Sequence, residues 1–90
     1  MNDLGNEVDI ASYNSSSNKF SIPNDGIIVV STVHSGDTAE YTNAFLNDIN
    51  IACASPNGKH TTTIPIFVRS GQNIYFVGSG VWAKYYSYTD

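Results

Sequence analysis

The fold of this chain is decided by the stretch Ile64-Pro65-Ile66-Phe67-Val68-Arg69-Ser70-Gly71-Gln72-Asn73-Ile74-Tyr75-Phe76-Val77. It contains two apolar runs joined by a Ser-Gly pair, which is the pattern of a β-hairpin. After Gly78-Ser79-Gly80, a third run, rich in aromatic residues, extends from Val81 to Tyr88. Three successive strands of this kind predict an antiparallel β domain that ends on an ordered strand.

Runs of the same kind precede this stretch, each bounded by turn residues. They cover residues 7–11, 19–22, 27–33, 39–46 and 49–53. Residues 27–33 form the most apolar run, and we expect them and residues 64–68 to form central strands. Residues 37–48 also suit a helix capped by Thr38, but β-propensity favours a strand there.

Turn residues separate these runs at regular intervals. Pro23-Asn24-Asp25-Gly26 predicts a β-turn in which Gly26 takes the left-handed conformation. Asn47-Asp48 predicts a two-residue hairpin turn without glycine, since both residues tolerate a positive φ. Ser55-Pro56-Asn57-Gly58 predicts a further turn. About eight short strands at this spacing predict one all-β domain over residues 1–90, an antiparallel β-sandwich of jelly-roll type.

The length of the chain makes self-association attractive. A domain of 90 residues buries only roughly 60–65% of its unfolded surface, so it is marginal as a monomer. Cys53 is the single cysteine, so no disulfide forms within the chain, and we expect it to be a small buried side chain. His34 and His60 do not complete a zinc pattern with it. Oligomerisation remains as the source of additional burial.

Charge and hydropathy exclude two classes of partner. Four Lys and Arg against eight Asp and Glu cannot displace phosphate counterions, so we expect no nucleic-acid binding. No run approaches the roughly 20 apolar residues of a membrane span, so we expect no membrane insertion. The polar and acidic residues 1–9 predict that no signal peptide is present.

Four stretches resemble small domains of bacteriophage tail fibres and related virion appendages. They are Phe20-Ser21-Ile22-Pro23-Asn24-Asp25-Gly26-Ile27-Ile28-Val29-Val30, Asn47-Asp48-Ile49, residues 64–72, and Gly78-Ser79-Gly80-Val81-Trp82-Ala83-Lys84-Tyr85-Tyr86. The pattern is also similar to the trimeric jelly rolls of the C1q and tumour-necrosis-factor type. The resemblance implies a homotrimer on the virion surface, in contact with other virion proteins and with a host-surface glycan or protein.

The aromatic residues of the last strand are the first candidate binding site. Alternation along a strand predicts that Trp82, Tyr86 and Tyr88 share one face and that Tyr85 lies on the other. Exposed rings would stack on sugars, with Tyr85 or Tyr86 as the stacking face. Alternatively, these aromatics belong to the core and to a subunit interface, which is the more common role.

Polar side chains on predicted turns complete this candidate site. Asn57 and Asp37 would donate and accept hydrogen bonds with sugar hydroxyls. His34, Asp37 and Glu40 lie near one loop, but no calcium-loop pattern surrounds them, and we expect no metal and no cofactor. His60 and the threonines 61–63 would line a pore or polar axis. More simply, they belong to an exposed turn.

No motif for catalysis accompanies these residues. Serine and threonine are numerous, but no nucleophile has the surroundings of a known catalytic motif, and we expect no enzyme activity. The sequence favours a structural virion domain, such as a tail fibre, head fibre or decoration protein. The alternatives are a stand-alone carbohydrate-binding module and a secreted ligand of the C1q or tumour-necrosis-factor type.

Overall fold

The computed structural model of the chain describes residues 4–33, 42–54, 61–78 and 80–88. These residues form two antiparallel four-stranded sheets, with strand order β1-β8-β3-β6 in sheet 1 and β2-β7-β4-β5 in sheet 2. The strands are β1 (Leu4–Asp9), β2 (Phe20–Ser21), β3 (Gly26–Val33), β4 (Thr42–Leu46), β5 (Ile49–Ala54), β6 (Thr61–Val68), β7 (Asn73–Gly78) and β8 (Val81–Tyr88).

The strand order confirms the predicted jelly-roll sandwich. Apart from the β4–β5 hairpin, every connection between successive strands crosses from one sheet to the other. The first and last strands therefore become neighbours, with Val8 opposite Tyr85 and Asp9 opposite Lys84. Such long-range pairing buries both inner faces of the sandwich in one core.

Alternating side chains from the two sheets build this core. In β3, Ile28 and Val30 are buried, and in β7 Ile74 and Phe76 have no exposed surface. The buried apolar residues are Ile10, Ile22, Ile28, Val30, Ala44, Ile66, Val68, Ile74, Phe76, Ala83 and Tyr85. At about 25 cal/mol per Å² of apolar surface, this burial is the main favourable contribution to folding.

Three aromatic rings in contact close the core beside the short strand β2. The ring centroids of Tyr13 and Phe20 are 5.3 Å apart, and those of Phe20 and Tyr85 are also 5.3 Å apart. The hydroxyl of Tyr85 donates to the carbonyl oxygen of Asn24 at 2.5 Å and accepts from the Asn24 N–H at 3.3 Å. The last strand thereby holds the turn that precedes β3.

The predicted turn at Asn47 and Asp48 is confirmed, but the predicted β-hairpin over residues 64–77 is wrong, because β6 lies in sheet 1 and β7 in sheet 2. Asn47 and Asp48 have φ values of 50° and 66°, as a two-residue turn between β4 and β5 requires. The Asn47 side chain also accepts a hydrogen bond from the Asn73 N–H at 3.0 Å. Gly71, in the β6–β7 turn, has a φ of 91°.

Gly26 is needed for a different reason from the predicted one. We expected a left-handed residue, but Gly26 is the first residue of β3 and its φ is not positive. A Cβ atom at this position would overlap the backbone oxygen of Tyr86 and lie 3.0 Å from Cα of Ser87. Close approach of β8, and not turn geometry, therefore requires glycine here.

The prediction that residues 64–68 are central was wrong, because β6 is an edge strand of sheet 1. Its Pro65 lies opposite Val29 of β3 and has no N–H to offer to a strand on the other side. Proline inside a sheet is largely restricted to edge strands for this reason. The prediction that residues 27–33 form a central strand is confirmed, since β3 lies between β8 and β6.

Strand ends differ from the predicted limits by a few residues. β1 ends at Asp9 and not at Ala11, because the Asp9 carboxylate accepts a hydrogen bond from the Ala11 N–H at 3.1 Å and begins a turn. β4 begins at Thr42, and residues 39–41 of its predicted extent lie outside the described residues. The predicted turn at residues 55–58 and the side chain of Cys53 also lie outside them.

Candidate functional site

The outer face of sheet 1, which points away from the core, carries three of the exposed large apolar side chains of the described residues, Leu4, Phe67 and Trp82. Directly opposed residues on neighbouring strands place their side chains on the same face in rows. From one end of the sheet to the other, the rows are Leu4 and Tyr88; Glu7, Tyr86, Ile27 and Phe67; Asp9, Lys84, Val29 and Pro65; and Trp82, Ser31 and Thr63.

Three of these apolar side chains are largely in water. Phe67 is 71% exposed, Leu4 54% and Trp82 41%. Phe67 and Trp82 alone leave roughly 200 Å² of aromatic surface uncovered, since a side chain of this kind has about 150–250 Å² to bury. Ile27 and Val29 lie half-buried between them and connect the exposed side chains. A continuous apolar surface of this kind usually marks an interaction site.

A charged group lies within this face beside the apolar residues. The Lys84 ammonium lies 3.6 Å from a Glu7 oxygen, 3.5 Å from an Asp9 oxygen and 5.7 Å from the centroid of the Trp82 ring. The Tyr86 hydroxyl donates a hydrogen bond to Glu7 at 2.9 Å. The Lys84 charge is therefore compensated by two acids of the neighbouring strand.

Two pKa values in this group shift in opposite directions. The pKa of Asp9 is lowered, chiefly because the Ala11 N–H donates to the carboxylate, and the charge of Lys84 adds to this effect. The pKa of Tyr86 is raised, chiefly because its hydroxyl donates to Glu7 and would lose that hydrogen bond on ionisation. Both shifts favour the arrangement present near neutral pH.

Trp82 lies near the end of sheet 1 at which β3 ends and β6 and β8 begin. Val33 pairs with Thr61, and Val81 of β8 pairs with Thr32, so these strand ends are neighbours. The Trp82 row also contains a hydrogen bond of 2.8 Å between the Ser31 and Thr63 hydroxyls. We call this the loop end of the sandwich.

The two turn residues of the predicted site belong to segments that leave from the loop end. Asp37 lies between β3 and β4, and Asn57 lies between β5 and β6. Both lie outside the described residues, as do His34, Glu40 and His60. Their part in a site with Trp82 therefore stays a prediction.

Tyr85 or Tyr86 was predicted to stack on a sugar, and Tyr85 cannot do so. Only 2% of its surface is exposed, and its hydroxyl is bonded to Asn24. Tyr86 points to the opposite side, as alternation along β8 requires, and is half-buried on the outer face. The accessible aromatic residue nearest the loop end is Trp82, and its predicted place on one face with Tyr86 and Tyr88 is confirmed.

The outer face of sheet 2 also carries apolar side chains, among them Val77, which lies opposite Asn43 and is 37% exposed. The rings of Phe45 and Tyr75 stack with centroids 4.8 Å apart and planes within 5°. Asn50 donates to the Asn43 side chain at 3.5 Å beside this pair. Each ring covers one face of the other, so less of their surface is available to a ligand than for Trp82.

The described residues form a surface without a cleft. No pocket occurs among them, and no group of three or more His, Cys, Asp and Glu side chains is arranged to hold a metal ion. None of these residues belongs to a helix of the length and hydropathy needed to cross a bilayer.

Comparison with protein-family models, with curated proteins and with solved structures finds no match for this chain. The strand order defines a class of fold, the jelly-roll β-sandwich. A jelly roll supports many unrelated functions, so any function has to be argued from the surface residues.

Sequence reasoning missed the exposed members of the outer face. Phe67 and Leu4 were not recognised as surface residues, because apolar runs by themselves predict burial. Lys84 was the available signal, since a lysine between Trp82 and Tyr86 places all three on the solvent side of β8. Once β8 is oriented, its pairing partners on β3 and β6 follow.

Proposed function

We propose that this chain is a non-enzymatic binding domain of a virion appendage, such as a bacteriophage tail fibre or head fibre. It works as a homotrimer on the virion surface, holds the appendage together and contacts a host-surface glycan or protein. The resemblance of the sequence to such domains motivates the viral setting and the number three. The exposed aromatic residue Trp82 at the loop end carries the binding part of the proposal.

The geometry of Trp82 suits recognition of a sugar. Its indole is 41% exposed on a paired strand, so the backbone that presents it is ordered before a ligand arrives. An aromatic face offers apolar contact to the C–H side of a pyranose, and the indole N–H can donate to a hydroxyl. Asp37 and Asn57, in the connections that follow β3 and precede β6, would supply further hydrogen bonds.

A flat site of this size binds weakly on its own. We expect a dissociation constant near millimolar, or about −4 kcal/mol, for a single domain. Three sites presented to one surface raise the apparent affinity by about a hundredfold or more. Oligomerisation therefore supplies both additional burial and useful avidity.

A glycan array, followed by titration of the strongest hit, tests this function. We expect Trp82→Ala to weaken binding at least tenfold, because the stacking surface is removed. Tyr75→Ala is the matched control, since it removes an aromatic ring of the other sheet and leaves the loop end unchanged. Equal binding by the folded Trp82→Ala protein and the control would contradict the assignment of the site.

A further inference from the structure

We propose that the centre of the outer face of sheet 1 is covered by a second copy of this chain. This inference rests on the self-association in the proposed function and adds the surface that mediates it. The contact is centred on Phe67, Ile27, Val29 and Pro65. Trp82 at the loop end lies at its rim and stays available to a ligand.

The exposure of this surface is the first argument. Phe67, near one end of the edge strand β6, is 71% exposed, although Ile27 lies opposite it on β3. Pro65 is exposed beside it and pairs with half-buried Val29. A domain of this size rarely keeps so continuous an apolar surface in water unless a partner covers it.

The area of the face is the second argument. Without the Trp82 row, four strands about 4.8 Å apart and about six residues long at 3.3 Å each cover about 19 by 20 Å, or roughly 400 Å² per copy. Together with the partner surface that it covers, such a contact buries about 800 Å², which is the size of a weak or transient interface. A single sugar ring is far too small to cover this surface.

The charge of the face argues against an acidic partner. Lys84 lies within 3.6 Å of both Glu7 and Asp9 on the same chain. The face therefore presents no uncompensated cation to a foreign acidic surface. The acids lie on β1 at one side of the sheet, where they form a polar rim beside the apolar centre.

The sheet edges offer no comparable route to assembly. β1 carries Glu7, Asp9 and a shift in register, β2 has two residues, and β5 pairs with β4 through another shift in register. β6 is longer, but Pro65 interrupts its row of donors. Short length, charges, bulges and proline are the features that prevent edge-to-edge pairing. The face is left as the surface for association.

Sedimentation velocity from 1 to 100 µM tests the inference on the full chain. We compare the unmodified protein with Phe67→Glu, which places a charge at the most exposed apolar residue of the face. The matched control is Ile49→Glu, because Ile49 is 66% exposed but lies on β5 of sheet 2. We expect Phe67→Glu to raise the dissociation constant by roughly a hundredfold or more, since an aromatic side chain buried by a contact is a typical hot spot, and Ile49→Glu to leave it unchanged.

The possible outcomes separate this inference from the proposed function. A monomer at 100 µM for the unmodified chain, or equal association of both folded variants, overturns the inference. A dimer that Phe67→Glu dissociates supports the surface and contradicts the trimer. If circular dichroism shows that Phe67→Glu is unfolded, Leu4→Glu on the same face takes its place, and association unchanged by Leu4→Glu overturns the inference. If the folded chain binds glycans as a monomer, the association surface is contradicted and the proposed binding function is not.

Discussion

At the scale of single residues, neighbouring tyrosines on β8 have opposite roles. Tyr85 points into the core and bonds to Asn24, whereas Tyr86 points outward and bonds to Glu7. Alternation predicts that the two differ, but not which of them is buried. Lys84 decides the question, because an ammonium group in the middle of a strand has to reach water.

Replacing Tyr85 by Phe removes both hydrogen bonds to the backbone of Asn24 and leaves its polar atoms partly buried. We expect the free energy of unfolding to fall by about 1–2 kcal/mol. Urea denaturation measures the change, with Tyr75→Phe on the outer face of sheet 2 as the control. Equal loss of stability in the two variants would mean that the hydroxyl of Tyr85 has no special role.

The same variant has a characteristic pH dependence. Burial raises the pKa of Tyr85 above its ordinary value of 10.0, although the hydrogen bond from Asn24 acts in the other direction. The unfolded chain therefore ionises first, so this stabilisation is complete below about pH 10 and is lost as the pH rises through the higher folded pKa. Unfolding curves between pH 8 and 12 should decline less steeply for Tyr85→Phe, with the remaining decline due in part to Tyr86. Parallel declines would contradict this explanation.

At the scale of strands, local sequence predicts where each strand lies along the chain better than it predicts which strands are its neighbours in the sheet. All eight strands were expected near their observed positions, and the turn at Asn47 and Asp48 has its predicted positive φ values. The place of β6 at the sheet edge was missed. Strand order depends on contacts between distant residues, whereas periodicity reports only which side of a strand is apolar. Pro65 was the local signal that could have identified the edge.

The role of Pro65 as an edge residue gives a prediction at this scale. Pro65→Thr restores a backbone donor within an uncharged strand and should permit pairing between exposed β6 edges. We expect larger species and visible aggregation at concentrations where the unmodified chain remains clear. Dynamic light scattering measures this, with Pro23→Thr as a control in a turn outside the strands. Identical particle sizes in the two variants would contradict a protective role for Pro65.

At the scale of the whole molecule, the two ends and the two faces of the sandwich differ in chemistry. The outer face of sheet 1 is apolar at its centre, acidic along β1 and aromatic at the loop end. The outer face of sheet 2 carries asparagine beside one stacked pair. This separation allows one surface to hold copies of the chain together while Trp82 faces a ligand.

Association by this face is the central claim, and hydroxyl-radical footprinting tests it most directly. Oxidation of Phe67, Ile49 and Trp82 is measured by mass spectrometry as the protein concentration rises from 1 to 100 µM. We predict that Phe67 becomes protected while Ile49 and Trp82 continue to react at their original rates. The account is contradicted if Phe67 is oxidised at the same rate from 1 to 100 µM and is not already protected at 1 µM.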